Sequence, residues 1–513
     1  MVTRQSGALL AGALSRVEKK ARRGIVKSSD MERPDRERLQ RAGWLQPIMK
    51  SWYLFGLSPD GGPGSTTLWY GHFWDFVRYY LTDRFGRAYC LSAECSLDLH
   101  TGAMTIPRQV VVMTAAGGAN TLSLPHGTSL LVYPDPGNLA ADPSLIDGLQ
   151  VMALPLALCR VAPRYFEASP VNVELALRLA EPAALSRVLL QGAHTRAASR
   201  LVGAYQFIEE PGRAERIKDD MAAAGYRISP VNPFKTDRPL LGPGFRSPSP
   251  LVGRLQALWE GMRETVIDVF PKAPGLPTAR KRTLEQMEDI YQHDAYNSLS
   301  IEGYQVTPEL IEKVRRGRWN PDASLQDREQ VAAMAARGYY ETFQLVKRNI
   351  GDILAGENAA TIVTDNLQDW YRTLFSPGVQ AGLLEAADLA GYRNRPVFIR
   401  GSSHVPPSHE TLIDGMETLF RLLVHEEEPA VRGVLGHFLF VFIHPYPDGN
   451  GRLGRFLMNA MLASGGYAWT VIRLKRRPHY MKALEQASVG GDIRPLSEFV
   501  LQEMGVDWTR EEI

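Results

Sequence analysis

The spacing of apolar positions is strand-like in places before residue 228 and helical almost throughout after residue 250. In the first part, residues 109–113 (Gln-Val-Val-Val-Met) and 129–133 (Ser-Leu-Leu-Val-Tyr) have the β-branched content of strands. Residues 8–23 predict a helix. Ser28, Ser29 and Asp30 supply cap chemistry for a second short helix that Gly43 closes. Trp44-Leu45 and Trp52 to Phe55 then predict two short strands, and helices followed by such a hairpin outline a winged helix-turn-helix. Residues 171–226 read as mostly helical. In the second part, 285–302 and 328–347 are helix candidates. Residues 411–424 place Leu412, Met416, Leu419, Phe420 and Leu423 on one face. Pro429 opens a helix that is apolar nearly all round (Val431, Val434, Leu435, Phe438, Leu439, Val441, Phe442), which suits the centre of a bundle. It ends near His444, because Pro445 disfavours helix in the residue before it. A further helix runs from about Gly451 to Ser464 and stops at Gly465-Gly466.

Between the two parts, residues 228–250 contain six prolines and little periodicity, which predicts a linker. The domain reading is a winged helix-turn-helix over 1–57, an α+β domain over 58–227, the linker, and a mainly α domain over 251–513.

Composition adds three things. A chain of 513 residues needs more than one domain. The formal charge of +2 is near neutral, but residues 1–50 hold twelve Lys and Arg against five acids, a local +7 that is a nucleic-acid hint. Three cysteines (Cys90, Cys95, Cys159) without a C-x-x-C predict buried reduced thiols rather than a disulfide framework or a zinc site. The longest clean apolar run, Val151 to Cys159, falls far short of the ~20 residues that span a bilayer. The densely charged Arg16 to Lys27 segment does not fit a signal peptide. The expectation is a cytoplasmic protein with no membrane partner. Gly61 to Thr66 is glycine-rich, but no Lys follows, so it reads as a plain loop.

The chemistry gathers at residues 444–455, His-Pro-Tyr-Pro-Asp-Gly-Asn-Gly-Arg-Leu-Gly-Arg. The loop joins a buried helix to the N-terminus of the next, where free N–H groups and the helix dipole favour phosphate. Gly449 and Gly451 are expected to reach positive φ and approach phosphate closely. Asn450 can cap the helix or donate to an oxygen. Arg452 and Arg455 bring guanidinium forks suited to phosphate. Asp448 suits a Mg²⁺ ion shared with phosphate oxygens. His444 titrates near neutrality and can take a proton from a hydroxyl. Taken singly, Asp448-Gly449 would be an ordinary turn and His444 a capping residue.

These residues resemble the signature of the Fic family, His-x-Phe-x-(Asp/Glu)-Gly-Asn-Gly-Arg-x-x-Arg, with Tyr446 in place of the usual Phe. The resemblance covers roughly residues 280–505. It implies a helical bundle with a β-hairpin flap, and transfer of AMP from ATP to a Ser, Thr or Tyr hydroxyl of a target protein. It implies His444 as general base, Asp448 as Mg²⁺ ligand, Gly449, Asn450 and Gly451 as the anion-holding turn, and Arg452 and Arg455 as phosphate ligands. Gly391 to Ile399 resembles the flap, with Arg395, Pro396, Val397, Phe398 and Ile399 expected to register the target's backbone by strand addition. Asn297 to Gly303 resembles the family's inhibitory helix motif, with Ser298, Glu302 and Gly303 in the matching places. Ser298 and Glu302 share a helix face. By resemblance Glu302 pairs with Arg455, occupies the place of the γ-phosphate, and restrains the enzyme; the inhibitory helix is expected at about 285–303.

Residues 89–111 are similar to the core of AbiEi-type antitoxins, which carry an operator-binding winged helix. DNA is therefore a candidate partner of the N-terminal region, beside a target protein, and a homo-oligomer is compatible with both. Two alternatives stay open: a DNA-binding regulator or toxin–antitoxin component with an accessory Fic domain, and a Fic enzyme that removes AMP or uses another nucleotide.

Overall fold

The computed structural model describes residues 2–56, 67–242, 249–319, 331–382 and 384–508. The glycine-rich 61–66 loop, residues 243–248 of the linker and the start of the 328–347 helix candidate lie outside them. The chain divides into two compact units, Met1–Arg254 with Val397–Val405, and Leu255–Pro396 with Pro406–Ile513.

The first unit opens with α1 (Val2–Glu18), β1 (Ile25–Lys27), α2 (Arg33–Arg41), β2 (Leu45–Met49) and β3 (Trp52–Phe55). The strands form an antiparallel sheet in the order β1–β3–β2, with Ile25 opposite Leu54 and Leu45 opposite Phe55. The third strand, β1, is absent from the sequence reading: three residues are too few for a periodicity to register. Ala13, Val17, Val26, Leu39 and Leu45 close a small core between sheet and helices. Ser28–Asp30 does not cap a helix as expected. It is a single 3₁₀ turn held by Asp30 Oδ2, which accepts from the Lys27 amide at 3.0 Å, and α2 starts at Arg33 with Pro34 in its first turn.

Next come α3 (Thr67–Phe85), β4 (Tyr89–Leu91), α4 (Ala93–His100), β5 (Gln109–Thr114), β6 (Asn120–Ser123) and β7 (Ser129–Pro134). The sheet order is β4–β5–β7–β6, with β5 and β7 parallel and the other pairs antiparallel. Beyond the small hairpin of β8 (Ser144–Ile146) and β9 (Leu149–Val151), helices fill the rest of the unit up to Ala223. The proline-rich segment is not a free linker over residues 228–242. Phe234 packs into the helical core, and the Glu174 carboxylate accepts from the amides of Leu240 and Leu241 at 2.8 and 3.0 Å. Buried Arg178 in turn donates to that carboxylate and to the Leu241 carbonyl. A buried charge with its own counter-ion thus pins irregular backbone that the sequence shows only as unpatterned.

The expected β-hairpin at 391–399 is not formed. Arg395, Pro396, Val397, Phe398 and Ile399 carry no strand. Pro396 lacks an amide, and buried Arg393 takes the Arg395 carbonyl that a ladder would need, at 3.0 Å, while it also reaches out of the segment to the Pro407 carbonyl at 2.6 Å. Val397 to Val405 belong to the first unit, where Ile106 donates to the Ser403 carbonyl at 2.9 Å and the Phe398 ring lies close against Gly71 of α3.

The second unit is helical. Past α5–α10 (Leu154–Arg160, Pro163–Ala168, Pro170–Leu179, Pro182–Gln191, Thr195–Phe207, Pro211–Ala223) and α11 (Pro250–Val269), in which the division falls, it holds α12 (Arg280–Ile301), α13 (Pro308–Arg315), α14 (Val331–Leu354), α15 (Ala359–Gln380), α16 (Leu412–His425), α17 (Pro429–Ile443), α18 (Asn450–Ala463), α19 (Arg477–Gly490) and α20 (Arg494–Met504). As its composition predicts, α17 is buried all round. It packs closely on α18, where Leu457 and Leu462 lie against Gly436 and Gly433 of α17. Among the described residues, no helix is long and apolar enough to cross a membrane.

Candidate functional site

The site is the loop between α17 and α18. Helix α17 stops at His444 for the reason read from Pro445. Unable to continue in αR, His444 turns left-handed (φ 52°, ψ 60°) while its amide still bonds the Phe440 carbonyl at 3.0 Å. The imidazole Nδ1 lies 3.2 Å from the Val441 carbonyl, an acceptor, so Nδ1 carries the ring proton and Nε2 keeps its lone pair. Burial pushes the His444 pKa down to about 4, with the Arg393 charge acting in the same direction against the Val441 bond. The ring is therefore a neutral base at pH 7.

Tyr446 anchors the loop. Its ring is 1 % exposed and stacks on Tyr371 with centroids 4.0 Å apart. Its hydroxyl finds the partner that a tyrosine in an apolar slot requires, donating to Gln368 Oε1 at 3.1 Å. Asn450 does not cap the helix or face outward. Its Oδ1 accepts from the Tyr446 amide at 2.9 Å and its Nδ2 donates to the Tyr446 carbonyl at 2.8 Å, closing the loop on itself. The N-cap is Gly449, at φ +83°, where a β-carbon would also strike the Phe375 ring. Gly451 departs from expectation, because it is an ordinary helical residue. Glycine is needed there for room: a β-carbon would run into the Glu302 carboxylate.

Asp448 is the exposed acid of the loop. Its Oδ1 accepts from the Gly449 amide at 2.6 Å and its Oδ2 from Arg452 Nη2 at 3.0 Å, with the Tyr304 hydroxyl 3.5 Å away. Arg452 is buried between the rings of Tyr304 and Phe375, at 5.1 and 5.0 Å from their centroids, and its Nε–H has no hydrogen-bond partner. Arg455, also buried, donates from Nε to Ser298 Oγ at 2.9 Å, and from Nη2 to the Ser298 carbonyl at 3.1 Å and to Glu302 Oε1 at 2.8 Å. Glu302 is the C-cap of α12, and Gly303 follows at φ +93°. The structure thus gathers His444, Asp448, Gly449, Asn450, Gly451, Arg452, Arg455, Ser298, Glu302 and Gly303. It does not bring Val397, Phe398 and Ile399 into this unit.

Three contributors escaped the sequence reading. Arg393 donates from Nε to the His444 carbonyl at 2.8 Å, and its amide donates to the Pro445 carbonyl at 2.9 Å, so it fixes the base from outside the loop. Tyr304 covers Arg452 and Asp448. The 474–477 segment clamps α12, with the Leu474 amide on Asn297 Oδ1 at 2.7 Å and Arg477 Nε on the Ile301 carbonyl at 2.9 Å. Arg393 lies in the segment read as the flap, but nothing there marks it as a partner of His444; each of the three is a long-range contact of a common residue type.

The arrangement can take a proton at His444 Nε2 and hold anionic oxygens at the N-terminus of α18. Among the described residues, no group of three or more His, Cys, Asp or Glu could hold a metal ion. The donor set fits a hard divalent cation bound by one carboxylate, Asp448, with its remaining ligands from water and phosphate.

Residues 362–462 match the Fic/DOC family model. Protein adenylyltransferase Fic of Nematostella vectensis is 27% identical over 252 residues, which cover 48% of this chain and 55% of that protein. Protein adenylyltransferase Fic of Drosophila persimilis is 27% identical over 252 residues, covering 48% of this chain and 44% of its own length. The chain thus spans about half the length of these curated relatives. A solved Fic-domain-containing signalling protein from Bacteroides thetaiotaomicron is 20% identical, with 48% of this chain and 94% of that one covered at a TM-score of 0.34.

Proposed function

We propose that the protein is an adenylyltransferase that moves AMP from ATP to a hydroxyl side chain of a target protein, and that it is restrained by its own Glu302. The Glu302–Arg455 ion pair carries this reading: at 2.8 Å it places a carboxylate on the buried guanidinium that a terminal phosphate would need. His444 Nε2 takes the proton of the incoming hydroxyl, whose oxygen bonds to the α-phosphorus as pyrophosphate leaves. Free N–H groups at the start of α18 bind phosphate oxygens, and Arg452, held to Asp448 beside them, adds positive charge. Asp448 would hold Mg²⁺, which when bound neutralises phosphate charge. Arg393 keeps His444 in place throughout. While Glu302 occupies Arg455, the triphosphate cannot settle with its α-phosphorus facing His444.

The deciding experiment incubates isotopically labelled ATP with the purified wild type, Glu302→Gly and His444→Ala, alone and in lysate. Label on protein is expected to be weak in wild type, strong in Glu302→Gly and absent in His444→Ala. Equal labelling by wild type and Glu302→Gly would remove the restraint. Undiminished labelling by His444→Ala would remove the mechanism.

A further inference from the structure

One face of α12 carries Asp294, Ser298 and Glu302 at intervals of four residues, so the three side chains form a stripe. Ser298 and Glu302 both hold Arg455. Asp294, the third member, is 4 % exposed and takes no part in the chemistry above. Its Oδ2 accepts from the hydroxyl of buried Tyr339 on α14 at 2.8 Å. A carboxylate this deep is costly unless compensated; Asp294 lies one helical turn before Ser298, whose Oγ and carbonyl both accept from Arg455, and the Arg455 charge acts to lower the Asp294 pKa.

We propose that Asp294 is a positioning residue for Arg455: a second, fixed carboxylate, one turn of α12 before the Ser298 that holds the guanidinium, that sets how strongly Arg455 draws in Glu302 or, once Glu302 leaves, a phosphate. The inference rests on Arg455 being a phosphate ligand. An ionised Asp294 already satisfies part of the Arg455 charge, so it weakens the pull on any other anion. It also gives Arg455 a counter-charge during the interval when neither Glu302 nor phosphate is bound, a state that would otherwise leave a bare buried cation.

Burial pushes the Asp294 pKa up to about 6, against the Tyr339 hydrogen bond, the Arg455 charge and Trp469. The groups facing this cluster are Arg455 on α18, Tyr339 on α14, Tyr291 on α12, Trp469, and, beside Arg455, Tyr480 on α19 with His437 on α17. Burial keeps the three tyrosines neutral, and it lowers His437 to about 4. In a Glu302→Gly protein, Asp294 is then the group of the cluster that changes charge between about pH 5 and 7.

ATP binding by the full chain, followed by calorimetry in Glu302→Gly with and without Asp294→Asn, tests this. At about pH 7.5 the Asp294→Asn protein is expected to bind ATP on the order of fivefold more tightly, and the difference closes towards about pH 5 as Asp294 takes its proton. With Glu302 present the change in AMP transfer is expected to be smaller than this factor, because without Asp294 the guanidinium draws Glu302 and phosphate more strongly alike. A merely structural role would weaken binding in both backgrounds at every pH. Tyr339→Phe, which keeps the carboxylate and removes its donor, is expected to move the pH of the affinity change upward. If Glu302→Gly binds ATP equally with and without Asp294→Asn at both pH values, the proposal is overturned and the reading of the site stands. If Glu302→Gly binds no ATP, the role of Arg455 falls, and this inference with it.

Discussion

The carboxylate of Glu302 fills the space beside Gly451 that a side chain there would need, while its Oε1 bonds Arg455 at 2.8 Å. Gly451→Ala therefore forces a choice between the methyl group and the ion pair. The substitution is expected to destabilise the wild type, and to cost less in Glu302→Gly, where the nearest remaining obstacle is Arg455 Nη1 at 3.1 Å. Urea unfolding of the four proteins of the cycle measures the coupling, expected at about 0.5–3 kcal/mol for residues in contact. Additive costs would mean that Glu302 does not occupy this place in solution.

His444 is expected to titrate near pH 4, not near 6.5. Transfer by Glu302→Gly should then keep its base through the mildly acidic range. The linked stability has a definite sign. The folded pKa is depressed, so the unfolded chain takes protons first, and stability present above about pH 6.5 is lost as pH falls towards 4. His437 is lowered to about 4 as well and contributes in the same window. Imidazole chemical shifts followed by NMR across this range check both; a His444 midpoint near 6.5 would contradict its burial.

Tyr446→Phe removes one hydrogen bond, to Gln368, and keeps the ring against Tyr371. The expected cost is about 0.5–1.5 kcal/mol in thermal unfolding, with transfer by Glu302→Gly largely retained. A large loss of transfer at unchanged stability would give the hydroxyl a role beyond anchoring.

Arg393→Lys keeps a charge and loses the fork that reaches the carbonyls of His444, Arg395 and Pro407. It is expected to lower kcat of Glu302→Gly by at least about tenfold through a misplaced His444, with a smaller change in KM for ATP. An unchanged kcat would show that the α17 terminus holds His444 unaided.

Much of this site was legible because its parts are close in sequence. Pro445 predicts the helix end, and the all-apolar stretch from Val431 to Phe442 predicts a central helix, because these depend on neighbours. Glu302 was reachable only through a motif matched in two places. Arg393, Tyr304 and Arg477 were not reachable: an arginine bonding three carbonyls looks in sequence like any solvated arginine. The hairpin expected at 391–399 failed for the same reason, since the side chain that takes its carbonyls lies inside the segment and its other acceptors lie downstream at 407 and 444. Asp30 and Gly451 had the right residue types for caps and left-handed turns, but Asp30 closes a local turn on the Lys27 amide and Gly451 makes room for the distant Glu302.

Asn450 commits both ends of its amide to the backbone of Tyr446, so the curvature of the loop is written within five residues and owes nothing to Glu302. Departure of Glu302 breaks none of those bonds. Under the proposed restraint, the backbone of the loop needs no rebuilding when Glu302 leaves, and what separates the two states is a contest between anions for one guanidinium. A switch of that kind answers to charge and ionic strength.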